Sequence, residues 1–179
     1  MVKTKIVNVV ATASICQKLD FYELRKRKEI FHDSDVYGGR VAYFKTEKMQ
    51  GRVSIFASGK MISVGTKSET QAHDELELAA RFLINKGFAK PIELTPKTQN
   101  MVITADFEES LNLEKLSEDS KAIYEPEQFP GGILRISDPY KATILIFASG
   151  KTVITGLRNS HHIKPVTEQL ANIIRECSS

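Results

Sequence analysis

A six-residue sequence, IFASGK, occurs twice in this chain, at Ile55–Lys60 and again at Ile146–Lys151. The two copies lie 91 positions apart in a chain of 179 residues. A second pattern, N-x-V-x-T-A, also occurs twice and begins at Asn8 and at Asn100. Because the same signals recur in the same order, the sequence predicts a tandem duplication, with a first repeat over residues 1–90 and a second over residues 91–179.

A duplicated chain can pack its two halves about an approximate two-fold axis and so present one surface twice. A partner with a similar symmetry, such as a DNA duplex, would match it. The net charge of +3 is uneven, since residues 1–90 hold 16 Lys and Arg against 10 Asp and Glu, and residues 91–179 hold 9 against 12. This distribution is compatible with nucleic acid, with an uneven solvated surface, and with a basic protein partner for the acidic half.

Several classes of protein are disfavoured by composition. No apolar run approaches the ~20 residues that span a bilayer, and no signal peptide is visible, so we expect no membrane partner. The two cysteines, Cys16 and Cys177, are far apart in sequence. We expect a reduced, intracellular protein, with a disulfide as the alternative.

Hydrophobic alternation and turn signals predict the same order of elements in both halves: strand, short helix, four strands, long helix. In the first half the predicted elements are the strand Lys5–Ile15, the helix Leu19–Ile30, the strands Gly39–Lys45, Arg52–Ala57 and Lys60–Val64, and a helix that Ser68 caps and Gly87 ends. In the second half they are Gln99–Asp106, the helix Leu111–Leu116, extended Ile123–Gln128, the strands Ile133–Ile136, Thr143–Ala148 and Lys151–Thr155, and a helix over His161–Cys177. Phe88–Lys97 links the halves.

Strands joined by short turns predict an antiparallel sheet, and the helices then cover one face of it. The opposite face is expected to be open to solvent or to a ligand. On that face we expect neutral and apolar side chains in matched sets: Asn8, Val10 and Thr12 with Asn100, Val102 and Thr104, and Ile62 and Val64 with Val153 and Thr155. Two aromatic pairs also match between the repeats, Phe56 with Phe147 and Tyr37 with Phe129. Aromatic residues on strands are core residues in most proteins, but Tyr37 and Phe129 stand at glycine-containing bends, which are exposed positions.

Signals for catalysis are weak. The tripeptide GKT beginning at Gly150 resembles the end of a phosphate-binding loop, but the first glycine of that motif is absent and the flanking sequence is strand-like on both sides. The adjacent pair His161 and His162 has no metal-ligand partner at suitable spacing. The acidic group around Asp106 has no neighbouring nucleophile or histidine. We therefore expect no enzyme, no metal and no cofactor, with a nucleotide-using enzyme as a remote alternative.

Several segments in order resemble the TATA-box-binding protein family. They are QNMV beginning at Gln99, YEPEQFPG beginning at Tyr124, KLD beginning at Lys18, GTKSE beginning at Gly65, and both copies of IFASGK. The resemblance covers nearly the whole chain, from about Lys5 to Cys177. It implies an α+β fold: a saddle of a ten-stranded antiparallel sheet from two repeats, with four helices on the convex face.

The resemblance also implies a function. The family consists of general transcription initiation factors that bind and bend A·T-rich promoter DNA through the minor groove and recruit transcription factor B. Expected partners are double-stranded promoter DNA, transcription factor B, RNA polymerase through the initiation complex, and, for the free chain, a second copy of itself. The lack of a long N-terminal extension resembles archaeal members, so the expected location is the cytoplasm with the nucleoid, or the nucleus if the source is eukaryotic.

Site residues are implied position by position. The residues implied to insert between bases are Tyr37, Phe56, Phe129 and Phe147. The residues implied to contact the minor groove are Asn8, Val10, Ile62, Val64, Asn100, Val102, Pro130, Leu145, Val153 and Thr155. The cations implied to contact phosphates are Lys60, Lys67, Arg135, Lys151 and Arg158. The implied contact to transcription factor B is Glu125, Glu127 and Gln128.

The departures from the family pattern lie mostly in the first repeat. Tyr37 stands where the family has Phe, Ser54 where Leu is usual, and Val64 where Thr is usual, while Asp33 and Asp35 occupy a bend that is commonly basic. In the second repeat Gln128 replaces the usual Leu. We therefore expect the first repeat to bind DNA more weakly or with an altered preference. The alternative function is that of a divergent paralogue that binds TATA poorly and regulates by competing for partners.

Overall fold

The computed structural model describes residues 2–178. Within them the fold contains nine strands of one antiparallel sheet and four α-helices, which confirms the expected α+β class. The strands are β1 (Lys3–Ser14), β2 (Ile30–His32), β3 (Val41–Phe44), β4 (Arg52–Phe56), β5 (Lys60–Thr66), β6 (Lys97–Asp106), β7 (Gly132–Ile136), β8 (Ala142–Ile146) and β9 (Lys151–Leu157). The helices are α1 (Phe21–Leu24), α2 (Glu69–Asn85), α3 (Leu113–Asp119) and α4 (Ile163–Ser178).

The chain divides into two compact units. The N unit is Asn8–Gln99, and the C unit is Met1–Val7 with Asn100–Ser179. The strand order in the N unit is β2-β3-β4-β5-β1, and in the C unit it is β1-β6-β9-β8-β7, so the long first strand contributes residues to both units.

Alternating burial separates the two faces of the sheet in each unit. In β5, Met61 and Ser63 are buried, whereas Ile62 and Val64, which alternate with them, are only partly covered. The strands β1, β4, β6, β8 and β9 show the same period of two. Because successive side chains on a strand point to opposite faces, one face of each unit carries the core and the other is open.

The long helix of the N unit begins as the sequence predicts. Ser68 is its N-cap, and its hydroxyl oxygen accepts a hydrogen bond from the backbone N–H of Gln71 at 3.1 Å. Glu75, on the buried side of this helix, accepts hydrogen bonds from the backbone N–H groups of Gln50 and Gly51 at 2.8 and 3.0 Å. This carboxylate therefore fastens the turn between β3 and β4 to the helix layer.

The C unit closes its core with two helices. Leu170 and Ile174 of α4 are buried, as predicted, while Ile173 is only partly buried. The predicted start of this helix at His161 is a 3-10 turn over Ser160–His162, and the ring of His162 stacks on Tyr140 with centroids 3.6 Å apart. No helix in the described part of the chain is both long and apolar enough to cross a bilayer.

Two predictions about the elements are wrong. The helix expected over Leu19–Ile30 spans only Phe21–Leu24, and Ile30 begins an edge strand that pairs with β3. The sheet has nine strands rather than ten, because the segment that would repeat β2 is reduced to a single bridge between Ile123 and Ile133. The cause is tertiary in both cases, since pairing with a neighbouring strand decides which residues become strand.

Candidate functional site

The open face of each unit carries the neutral side chains that the repeat predicted. In the N unit these are Asn8, Val10, Thr12, Ile62 and Val64, and in the C unit they are Asn100, Val102, Thr104, Leu145, Val153 and Thr155; all are partly covered and none is in the core. In the N unit, a groove of about 520 Å³ opens on this side, lined among others by Phe56, Lys60 and Ile62. The face is therefore mostly apolar, with hydrogen-bonding groups at a few positions.

An asparagine and a glycine form the same local structure in both units. In the N unit, the side-chain oxygen of Asn8 accepts a hydrogen bond from the backbone N–H of Gly65 at 2.8 Å. In the C unit, Asn100 accepts from Gly156 at 2.7 Å. Both glycines have positive φ, at 96° and 103°, and the strand register shifts beside each asparagine. Each asparagine thus has a structural role, because it satisfies a backbone donor at a β-bulge.

The two asparagines differ in what their amide nitrogens contact. Nδ2 of Asn100 lies 3.2 Å from the hydroxyl oxygen of Thr155. The corresponding neighbour of Asn8 is Val64, which has no hydroxyl group, and the amide nitrogen of Asn8 has no partner among the described residues. The N unit therefore presents an unengaged donor on its open face.

Two phenylalanine rings lie together at the end of the open face of the C unit. The ring centroids of Phe129 and Phe147 are 5.8 Å apart with planes inclined at 60°, and neither residue is buried. A Cβ atom on Gly131 would lie 2.9 Å from Cε1 of Phe129 and 3.2 Å from Cε1 of Phe147. The pair therefore sits directly on a backbone position that only glycine leaves free.

The turn before Phe129 carries the acidic residues. The backbone oxygen of Glu125 accepts hydrogen bonds from the N–H groups of Gln128 and Phe129 at 2.9 and 3.0 Å, which sets the position of the phenylalanine. The side chains of Glu125, Glu127 and Gln128 are all exposed, as is Pro130. The acidic turn and the aromatic pair are thus parts of one local structure.

The corresponding aromatic pair of the N unit does not form. Tyr37 is 73% exposed, and its ring contacts no other aromatic ring among residues 2–178. Phe56 lies on the open face, at the end of β4. Strand pairing gives the reason. In the N unit Phe31 pairs with Tyr43, which is 12 positions later in the sequence, whereas in the equivalent pair of the C unit Ile123 and Ile133 are 10 positions apart.

The two additional residues make the first bend longer. Tyr37, Gly38 and Gly39 all adopt left-handed backbone conformations, with φ of 50°, 61° and 71°. This conformation is uncommon for a residue with a bulky side chain. The longer bend holds Tyr37 at an exposed tip, so the spacing in sequence that matches it to Phe129 does not correspond to the same place in the structure.

The five predicted cations are all exposed. Lys60 and Lys151 begin the equivalent strands β5 and β9, while Lys67 and Arg158 directly follow them. Arg135 lies on β7, next to the buried Leu134.

A further cluster on the open face of the N unit was missed from the sequence. Phe31, Tyr43 and Arg52 lie on three adjacent strands, with the Phe31 and Tyr43 rings stacked at 6.3 Å and the guanidinium carbon of Arg52 4.7 Å from the Tyr43 ring centroid. We call these three residues the aromatic ladder. The signal that could have found them is the period of two on β3 and β4, combined with the register between the strands.

The remaining candidate motifs lack the geometry of catalytic sites. The tripeptide GKT runs from the turn after β8 into the first two residues of β9, with Gly150 at a φ of 81° and Thr152 buried, and does not begin a helix. Cys16 is exposed and Cys177 is buried, and both are free thiols. Residues 2–178 contain no group of three or more His, Cys, Asp or Glu side chains placed to hold a metal ion.

Comparison with known proteins identifies the family. The model for "Transcription factor TFIID (or TATA-binding protein, TBP)" matches residues 3–85 and again residues 95–177. The chain belongs to the TATA-binding protein family. The two matches correspond to the internal repeat, so the duplication seen in the sequence is a property of this family.

Individual members of the TATA-binding protein family are similar over almost their full length. A TATA-box-binding protein of Cenarchaeum symbiosum is 36% identical over 163 residues, which are 90% of this chain and 88% of that protein. One from Aeropyrum pernix is 33% identical and covers 99% of this chain and 87% of its own. The solved structure of Methanococcus jannaschii TBP superposes with a TM-score of 0.84 at 32% identity, covering 97% of this chain and 99% of that one. The family consists of DNA-binding transcription factors rather than enzymes.

Proposed function

We propose that this protein is a transcription initiation factor that binds A·T-rich promoter DNA through the minor groove and bends it. The observation that carries the proposal is the partly exposed ring pair of Phe129 and Phe147 at the end of an apolar open face. Partly exposed aromatic rings beside a face of Val, Leu and Thr are suited to a ligand built of flat, apolar layers, because a ring can insert between two layers and separate them. Stacked base pairs have these properties.

The chemistry of the open face favours A·T over G·C pairs. In the minor groove an A·T pair presents only acceptors, whereas guanine adds an amino group that projects from the floor. Side chains such as Val102, Leu145 and Val153 can follow the A·T floor closely and would clash with that amino group. The amide nitrogen of Asn8 supplies a donor for the acceptors.

Insertion of the ring pair would produce the bend. Rings placed between two base pairs unstack one step at a cost of about a few kcal/mol, and the distortion lets the DNA contact more protein surface. The exposed cations, such as Lys151 and Arg158, would neutralise phosphates and release counterions, which offsets the cost of the distortion.

The test is binding to a fluorescently labelled TATA duplex at a stated salt concentration, with the end-to-end distance of the DNA measured by energy transfer. We expect tight binding with shortening of that distance for the native chain. Phe129→Ala combined with Phe147→Ala should abolish the shortening. The matched control is Tyr22→Ala, which removes an exposed ring from α1 on the helix side of the N unit. If the double variant still bends the duplex as the native chain does, the proposal is wrong.

A second contact would recruit transcription factor B. The exposed Glu125 and Glu127 form an acidic turn directly beside the ring pair, where a basic surface of that factor could dock. Charge reversal at both positions, to Lys, should weaken formation of the ternary complex on DNA while leaving binding of the duplex alone unchanged. If the charge reversal weakens binding of the duplex alone as much as it weakens the ternary complex, this assignment is wrong.

A divergent paralogue that regulates by competing for partners remains the second candidate, because the N unit lacks the ring pair. Tyr37 has no aromatic partner within residues 2–178, and Ser54 and Val64 depart from the family pattern on the same face. Binding of transcription factor B by the free chain, without shortening of the labelled duplex, would favour this function over the first.

A further inference from the structure

The aromatic ladder of the N unit has no equivalent in the C unit. Strand register matches Phe31 and Tyr43 to Ile123 and Ile133, and the spacing of the repeated IFASGK segments matches Arg52 to Thr143. The three positions thus hold two aromatic rings and a cation in the N unit, but two isoleucines and a threonine in the C unit. The C unit therefore serves as an internal reference for what this face looks like without the ladder.

The ladder holds a guanidinium group in a fixed position on the open face. Arg52 precedes the buried Val53 on β4, so its side chain lies on the opposite, open face. It pairs with Val64 of β5, which lies on the proposed DNA-binding face. Its guanidinium group lies over the ring of Tyr43 and makes no ion pair or hydrogen bond to another residue in the described ranges. A guanidinium group stacked on a ring keeps its planar fork of N–H donors available to an anion.

The two faces of the Tyr43 ring are already occupied. The strands β2 and β4 flank β3 on opposite sides, so Phe31 and Arg52 approach the ring from opposite directions. A nucleic-acid base could not stack on this ring without displacing one of them. The ladder is therefore organised to present the charge of Arg52 rather than to receive an unpaired base.

In the N unit, the lysine that corresponds to the predicted phosphate-binding Arg135 already makes a hydrogen bond within the protein. Strand register matches Arg135 of the C unit to Lys45, and the ammonium group of Lys45 donates to the backbone oxygen of Gln50 at 3.2 Å. Arg52 instead offers an unpaired charge on the adjacent strand.

We infer that Arg52, held by the aromatic ladder, binds a phosphate of the DNA backbone. The N unit then contacts the duplex through this phosphate, because it lacks a ring pair to insert between bases. This inference rests on the proposed function and specifies the ligand at one part of the same face. It also predicts an asymmetric complex, in which the base step beside the C unit is unstacked and the step beside the N unit is not.

The experiment compares Arg52→Thr, which installs the residue of the C unit, with the native chain across a range of salt concentrations. Loss of one phosphate contact should reduce the slope of log Kobs against log[salt] by about 0.9, with an affinity loss of about 15-fold at 50 mM and about 5-fold at 150 mM salt. The matched control is Arg81→Thr, which removes an exposed arginine from α2 on the helix side. Its slope should equal that of the native chain.

A second variant separates the charge from its support. Tyr43→Ile installs the residue of the C unit and keeps Arg52, so the slope should stay close to native while the affinity falls about two- to fivefold. Replacing single phosphates by neutral methylphosphonates should then identify one linkage to which the native chain is sensitive and the Arg52→Thr variant is not. Equal sensitivity of both chains at every linkage would overturn the inference.

Base-step reporters complete the design. 2-Aminopurine placed at each end of the site should report unstacking at one end only, and unstacking at both ends would also overturn the inference. The proposed function fails separately, through absence of duplex binding by the native chain or through bending that survives loss of Phe129 and Phe147. Binding and bending with an unchanged slope for Arg52→Thr would refute the phosphate contact alone.

Discussion

Two neighbouring glycines of the C unit should respond in opposite ways to the same substitution. A Cβ atom on Gly131 would lie 2.9 Å from the backbone oxygen of Ile146 and 2.9 Å from the ring of Phe129. On Gly132, the nearest atoms would be 3.9 Å away. Neither glycine has a positive φ, so the comparison isolates crowding from backbone strain.

The expected magnitudes follow from these distances. At Gly131 the nearest contact is a backbone oxygen, which can move only with its strand, so Gly131→Ala should cost about 1–3 kcal/mol as an overpacked site does. At Gly132 there is room for a methyl group, and Gly132→Ala should stabilise by about 0.4–1 kcal/mol because it restricts the unfolded chain. The two variants should therefore differ by about 2 kcal/mol in the free energy of unfolding.

The assay is urea denaturation followed by circular dichroism. With a slope of about 1–3 kcal/mol per M, the two midpoints should be separated by roughly 1 M, with Gly132→Ala the higher. Gly131→Ala should also lower DNA bending, because the ring pair must shift to admit the methyl group. Coincident midpoints would show that neither the backbone oxygen of Ile146 nor the ring of Phe129 crowds Gly131, and the reasoning about this site would be refuted.

Three further outcomes are expected. Ser68→Ala should lower the free energy of unfolding by about 1 kcal/mol, because the N–H of Gln71 loses its capping partner; thermal or urea unfolding measures it. At pH 8 a disulfide reagent should modify the exposed Cys16 quickly and Cys177 slowly, since burial raises the pKa of the Cys177 thiol and leaves less thiolate; equal rates would contradict this. Asn100→Asp should retain its bond to the bulge but weaken binding of a TATA duplex by about 1–3 kcal/mol, measured by titration, because a donor becomes a charged acceptor.

Much of the fold could be predicted because its signals are local and occur twice. The capping box at Ser68 located the start of α2, and alternation along β5 and β9 assigned Ile62 and Val153 to the open face. The short edge strand at Ile30 could not be predicted in this way. Its sequence is compatible with a helix, and only pairing with Phe44, which is distant in sequence, makes it a strand.

The candidate site could be predicted to the same extent and for the same reason. Phe129 and Phe147 lie together, as the resemblance to the TATA-box-binding protein family implies for two of the residues that insert between bases. Tyr37 has the same position in the first repeat by counting, but two additional residues in the bend alter the register of β3, and a register is visible only when strands pair. The aromatic ladder lies on three strands, so no single stretch of sequence contains it.

The asparagine at each β-bulge has one consequence for how sequence is read. Its carbonyl end is tied to a main-chain amide at 2.7–2.8 Å, so the side chain cannot rotate by 180° to exchange oxygen for nitrogen without breaking that bond. An untethered amide could turn to suit either hydrogen-bonding polarity in a ligand. The asparagine at the bulge can present only its N–H donors to a ligand, because its oxygen is held by the main chain. Which hydrogen-bonding groups this position accepts is therefore fixed when the protein folds, before any ligand binds.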